Sequence, residues 1–280
     1  MEQTILTTES LNTDPRHCRL ALQVCTDAIE AVVSPLVPAE EGWLSARIPY
    51  AAGQDAATAL QEAVYANPLL VAPFGRVDVL VRTRRQMPIP TDCSHSEGID
   101  ADIVSLAGWT DDDGRPRDCF LSSAGRLYAL VAQADRGMLR FLRRTYDTAR
   151  IMHPLAVLNR WFESRSVLGN FGKVYINLRR DCTDFFVYNS LGPAAITSLQ
   201  SVEAPDCVYY SLALCHASSL ATSDVEVHLA GDPGRRAGLA SMLRNFFPTV
   251  VPAVFPSSLL AHGASAMAAP LELTVLPLCE

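Results

Sequence analysis

At 173–190 two runs that alternate apolar residues are joined by the charged turn LRRDCTD within KVYINLRRDCTDFFVYNS. A β-hairpin of this form is suited to hold a phosphate when glycines let its backbone N–H groups approach the anion with no Cβ in the way. Here the glycine positions carry Arg179 and Asp181. The Arg179 guanidinium would neutralise a phosphate directly. Asp181 beside it would pair with the arginine or repel the same ligand. Gly231-Asp232-Pro233-Gly234 is a second anion candidate, because it precedes a helical pattern and the free N–H groups at a helix start attract negative charge.

Other constellations carry less chemistry. Cys93-Ser94-His95-Ser96-Glu97 has the His-x-Glu of a zinc deaminase but lacks the downstream Pro-Cys-x-x-Cys, so it reads as a polar loop. Asp111-Asp112-Asp113-Gly114 lacks the spaced ligands and closing glutamate of a calcium loop and reads as a solvated turn. Arginines cluster at Arg82-Arg84-Arg85, at Arg140-Arg143-Arg144 and at Arg179-Arg180. If the second group is helical, its three side chains share one face suited to an acidic partner or RNA. Tyr209-Tyr210 with Cys207, Leu212 and Cys215 reads as one helix packed on a sheet. No Gly-x-Ser-x-Gly elbow, Walker A loop or His-Glu-x-x-His motif occurs.

The net charge of −7 argues against a general binder of phosphate backbones. Of the 23 basic residues only Lys173 is a lysine, so the remaining positive groups are forked guanidiniums suited to carboxylates and aromatic faces. The first residues do not read as a signal peptide, and the late apolar stretch is broken by Pro252, Pro256, Gly263 and Pro270. Eight cysteines without a CxxC pair read as thiols of a reducing compartment. The expectation is a cytoplasmic protein with no membrane span.

These residues need elements to position them. Period-two runs HCRLALQVC, AIEAVVS and WLSARIP predict an antiparallel three-strand meander over 17–48. A helix over Asp55–Tyr65 follows, stopped by Asn67-Pro68, then a strand at 76–82. The stretch 87–117 reads as irregular. A hairpin turned at 123–125, helices over 135–145 and 154–165, and a short strand ARIM between them complete the half. The second half repeats the order with GKVYINL, DFFVYNS, AAITSL, a helix over APDCVYYSLALCHASSL, strand DVEVHLA, helix RRAGLASMLRNFF and strand TVVPAVF. Such an order, met twice, is the plan of two tandem RNase H-like α/β lobes, 1–169 and 170–280, joined near Gly169–Gly172, with an insertion at about 87–134.

Two such lobes in tandem resemble the actin-like ATPase (ASKHA) superfamily, in which a phosphate hairpin opens each lobe. LALQVCTDAIEAVV is similar to the first hairpin, with Gln23 at its aspartate, Cys25 at its glycine, and Thr26 and Asp27 after them. The second hairpin, Asp-x-Gly-x-Gly-Thr-Thr-Asp in that superfamily, falls on Asn177 to Asp184, keeping Thr183 and Asp184. VHLAGDPGRRAGLASML resembles the adenosine motif and keeps Gly231, Gly234 and Gly238. Through LQEAVYANPLLVAPFGRVDVLVRTRRQMPIP, FFVYNS and PDCVYYSLALC the chain is most similar to a bacterial domain-of-unknown-function family with this fold and no assigned activity.

The resemblance implies a nucleotide cleft whose contacts, if it is used, are Thr26, Asp27, Asn177, Arg179, Thr183, Asp184, Gly231 and Gly234. Gln23 and Asn177 are neutral where carboxylates would support Mg²⁺, and bulky side chains replace the glycines. We therefore expect a degenerate ATPase: a non-catalytic binding or scaffold module with no catalytic residue, no metal and no cofactor, acting through a protein partner. One alternative is an active ATPase or small-molecule kinase using Asp184 and Asp27. Another is an accessory factor with an RNA- or ribosome-associated partner, using the arginine groups. Oligomeric state stays open.

Overall fold

The structure is a computed structural model and describes residues 6–37, 43–109, 117–166, 172–200 and 202–279. The expected acidic turn at 111–114 and the start of the inter-lobe joint lie outside the described residues. The first lobe opens with β1 (Cys18–Val24), β2 (Ala28–Pro35) and β3 (Leu44–Pro49), paired antiparallel as the alternation predicts. Helix α1 (Ala56–Tyr65) follows, its start capped by the Asp55 carboxylate, which accepts from the amides of Ala57 and Thr58. Strand β4 (Arg76–Val81) then runs parallel to β1.

Next come β5 (Arg85–Pro90), α2 (Ile99–Leu106), β6 (Arg117–Ser123) and β7 (Tyr128–Asp135), whose strands form a separate sheet in the order β5-β7-β6. The expectation of an irregular 87–117 is corrected here. Prolines in RQMPIP argue against a strand, but β5 is an edge strand, where a missing outward N–H removes no ladder bond. Helix α3 (Arg136–Thr145), short strand β8 (Arg150–Met152) and α4 (Pro154–Ser166) complete the lobe. The first sheet has the order β3-β2-β1-β4-β8.

The second lobe repeats this with β9 (Gly172–Leu178), β10 (Cys182–Asn189), β11 (Gly192–Gln200), α5 (Ala204–Ala217), β12 (Val225–Gly231), α6 (Pro233–Leu243) and β13 (Thr249–Pro252). Its sheet order, β11-β10-β9-β12-β13, matches the first strand for strand. Two short helices end the described chain, α7 (Gly263–Ala268) beside β3 and α8 (Leu271–Val275) beside α4. In α5 the buried face is Cys207, Val208, Ser211 and Cys215, while Tyr209 is 66% exposed, so the predicted tyrosine pair is split between sheet and solvent.

Two apolar layers cover the outer faces of the sheets, one with α1 and α3, the other with α5 and α6. A third joins the lobes. It holds Ala21, Val32 and Leu80 of the first sheet, Tyr175, Phe186, Tyr188 and Ile196 of the second, and α4 and α8 between them. The first turn of α4, Pro154 to Leu158, is apolar and buried on every side for this reason. Phe162 stacks on Tyr175 with ring centroids 4.2 Å apart and meets Phe186 edge-on at 5.1 Å. Tyr188 donates to Asn159 Oδ1 at 2.6 Å, and the Asn159 amide donates to the Ala124 carbonyl, tying β10 through α4 to the β6–β7 turn.

Because this layer is shared, Phe162→Ala should cost about 3–5 kcal/mol. Far-UV circular dichroism and tryptophan fluorescence should report one coincident urea transition, shifted down. Two separated transitions would show that the lobes are held apart by something other than this core.

Candidate functional site: the inter-lobe cleft

The turns that follow β1, β9 and β12 meet at the carboxyl ends of the parallel strands, the place where open α/β sheets bind ligands. A cavity of about 590 Å³ lies there, bounded by β2 and β3, the β9–β10 turn, the β12–α6 turn and the segment from Ala253 to Glu272. Strand alternation turns Gln23, Cys25 and Arg82 of the first lobe, and Asn177, Arg179 and Asp184 of the second, toward the other lobe.

Each hairpin pairs an amide with a carboxylate. Gln23 stands opposite Glu30 in the β1–β2 register and donates to its Oε2 at 3.1 Å. Asn177 stands opposite Asp184 in the β9–β10 register and donates to its Oδ2 at 3.1 Å. Each carboxylate is then taken by an arginine of the opposite lobe. Arg179 reaches back to Glu30 Oε2 at 2.9 Å, and Arg82 reaches forward to Asp184 Oδ1 at 3.3 Å. Both guanidiniums converge on Glu272 Oε1 of α8, Arg82 at 3.5 Å and Arg179 in direct contact. Ser198 donates to Asp184 Oδ1 at 2.7 Å, and Arg82 to Cys182 Sγ at 2.8 Å.

Of the two readings of Asp181, pairing with Arg179 or repelling the ligand, the first does not hold, since Arg179 turns inward to Glu30 and Glu272. The side chains of Arg82, Arg179, Asp184 and Glu272 are each at most 9% exposed. Two guanidiniums face three carboxylates, so the centre offers an incoming phosphate no excess of positive charge.

The remaining predicted residues are placed differently. Thr26 and Asp27 are exposed, and Asp27 is engaged by Arg47 at 2.7 Å. Thr183 is fully buried, close to Cys207 Sγ and to the Arg235 guanidinium. Gly231 has φ +84°, and a Cβ there would strike the Leu178 backbone of the neighbouring hairpin. Its glycine is therefore required by the approach of β9, which accepts from the Asp232 amide through Leu178 O at 2.8 Å. Gly234 lies in the first turn of α6, where the Asp232 carboxylate accepts from the Arg235 amide at 2.9 Å. A negative group of the protein itself thus caps the helix end that would greet an anion.

Sequence reasoning missed Glu30 and Glu272, and saw Arg82 only as part of an arginine cluster. The available signal was the single acid in each of two apolar runs, AIEAVV and PLELTVLPL. The cluster does not form one patch: Arg82 enters the centre, Arg84 is exposed, and Arg85 donates to Gln133 Oε1 at 2.9 Å. Cys93, His95 and Glu97 are exposed, and no set of three His, Cys, Asp or Glu able to hold a metal occurs among the described residues. All eight cysteines are free.

Burial opposes ionisation of Asp184, but Arg82 and then Arg179 outweigh it and hold the carboxyl below its usual range. Burial pushes the thiols up, Cys25 to about 11 and Cys182 to about 12, so neither is an activated nucleophile. His153, at the start of α4, accepts from the Leu155 amide and faces the Thr83 carbonyl at 3.3 Å. Burial, with Arg82 nearby, lowers its pKa to about 3.

Three outcomes follow. Arg82→Met should cost about 3–5 kcal/mol by leaving Asp184 buried without its partner, and Arg82→Met/Asp184→Leu should recover most of that loss in urea unfolding. Asn177→Asp, the residue expected from the resemblance, should cost roughly 1–3 kcal/mol because it sets a second carboxylate against Asp184. The pH dependence has two parts. The His153 contribution is complete above its unfolded value of 6.5 and is lost as pH falls toward its folded value of about 3. At pH 5 that is about 2 kcal/mol, and His153→Gln should remove it. The Asp184 contribution is complete above its unfolded value of 3.8 and is lost only as pH falls further through its lower folded value.

Comparison with known proteins agrees with this architecture. A crystal structure from Bacteroides thetaiotaomicron, described as a protein with actin-like ATPase fold and unknown function, is similar over 95% of this chain and 97% of that one, with TM-score 0.78 and 18% identity. The PilM-PilN type IV pilus biogenesis complex contains a chain similar over 95% of this chain and 98% of its own, with TM-score 0.51 and 13% identity. No curated protein matches. The model of a family described as protein of unknown function, DUF3822, matches residues 10–250. Two strand-for-strand lobes with a cleft between them are the actin-like ATPase fold, and the chain belongs to the DUF3822 family.

Proposed function

We propose that this protein is a non-catalytic binding or scaffold module whose phosphate site is filled by its own side chains. The observation that carries this reading is the crossed pairing of Arg179 with Glu30 and of Arg82 with Asp184, closed by Glu272. The arginine stands where a hairpin glycine would admit a phosphate, and its charge is already spent on two carboxylates. The Asp232 cap and the packing role of Gly231 account for the remaining nucleotide-like features without a ligand.

A protein partner is the natural object of such a module. The PilM-PilN structure is itself a complex of two proteins, and it supports the idea that a fold of this kind serves through protein contact. No helix of the described residues is long and apolar enough to cross a membrane. Eight free thiols suit a reducing compartment, and a cytoplasmic location is part of the proposal.

Mg-ATP is expected neither to be hydrolysed nor to raise the melting temperature. A working site at about 100 times its dissociation constant would add roughly 2.7 kcal/mol. For a chain of this size that is a rise of several degrees, at roughly 2–4 °C per kcal/mol. Measurable turnover, or a reproducible Mg²⁺-dependent rise of that size, would overturn the reading in favour of an active ATPase.

A further inference from the structure

Helix α3, RGMLRFLRRT, buries Met138, Leu139, Phe141 and Leu142 and leaves Arg136, Arg140, Arg143 and Arg144 exposed. Arg136 is held by Asp118 at 2.7 Å. The other three have no carboxylate of the described residues within 4.0 Å, and the nearby Asp147 is exposed and pairs with none of them. Other surface arginines are mated, as Arg47 with Asp27 and Arg150 with Asp78, whereas exposed Arg84 and Arg180 stand apart from one another and from this helix in the sequence. Arg143 and Arg144 in the last turn favour the helix dipole. Arg140 lies before that turn, and like charges at i+3 and i+4 oppose the helix. The cluster therefore works against the folded helix at the position where the dipole does not explain it. Tyr65 of α1, 59% exposed, meets Phe141 of the buried face edge-on at 5.7 Å and so borders the helix with an exposed aromatic ring. Exposed tyrosine and arginine side chains are the residue types that protein interfaces use as anchors.

We propose that this face of α3, with Tyr65, docks an acidic segment of a protein partner. The proposal rests on the binding-module reading and names the chemistry of its partner. Guanidinium forks match carboxylates in a bidentate way, and three exposed charges are too few for the counterion-driven affinity that nucleic acid binding needs. The chain as a whole carries −7, so an acidic segment is repelled from most of the surface and steered to this one patch.

The test uses the full chain and a fluorescein-labelled amphipathic peptide of glutamate and leucine, followed by anisotropy at low and moderate salt. Arg140→Gln/Arg143→Gln/Arg144→Gln should fold with an unchanged melting temperature and bind about tenfold more weakly, the scale of losing several charge-assisted contacts. Arg16→Gln/Arg84→Gln/Arg126→Gln removes the same charge from scattered sites and should change binding by less than ~2-fold. Equal losses in both variants, no peptide binding at low salt, or tighter α3-dependent binding of a single-stranded oligouridine would overturn the proposal. Self-association through this face, seen by light scattering, would overturn it too. Mg-ATP turnover bears only on the non-catalytic reading, so the two failures are separable.

Discussion

Glu272 Oε1 receives one guanidinium from each lobe, and that convergence ties the two halves together through one side chain. The carboxylate belongs to α8, a helix of five residues whose Leu273 and Val275 are buried in the inter-lobe core. A buried charge network of this kind contributes little net stability, because removing five ionic groups from water costs about as much as their attraction returns. What it does fix is geometry. A close-packed apolar layer resists slips between sheets, and two guanidiniums brought to one oxygen add a polar restraint in the same place. The ions add directed contacts between the lobes to the packed layer of Phe162, Tyr175 and their neighbours.

The network also explains the residues found where carboxylates would be expected. Gln23 and Asn177 each lie directly across a hairpin from an acid. An aspartate at either place would set two negative groups side by side, and a neutral amide gives a donor instead. The amide is thus matched to the acid it faces, hairpin by hairpin. Gly231 makes the complementary point, as a residue that the sequence resemblance places in a nucleotide motif but whose requirement here comes from the Leu178 backbone. Fold and site are separable, and a retained motif residue informs about function only after its contacts are known.

Much of the fold was legible because its signals are local. Alternation marked the strands, Asp55 and Asp135 announced helix starts, and the repeated order exposed the duplication. The insertion was less legible, since prolines that mark a loop by composition also suit an edge strand. The site was least legible. Arg179 is next but one to Asp181 in sequence, yet its partner Glu30 is 149 positions away. Pairings over that range leave no periodic trace. Only lone acids within apolar runs hinted that Glu30 and Glu272 had business inside the protein.

Arg179 is bound to its site by its own backbone, so no dilution ever clears it. An outside molecule seeking that end of the cleft faces an internal competitor whose effective concentration is of order millimolar or above. Its apparent affinity is scaled down by the fraction of molecules in which the side chain has swung out. At the β9–β10 turn Arg180 is exposed while Arg179 turns inward to Glu30 and Glu272. Any ligand for that end of the cleft must therefore displace a tethered guanidinium and offer those two carboxylates another cation in its place.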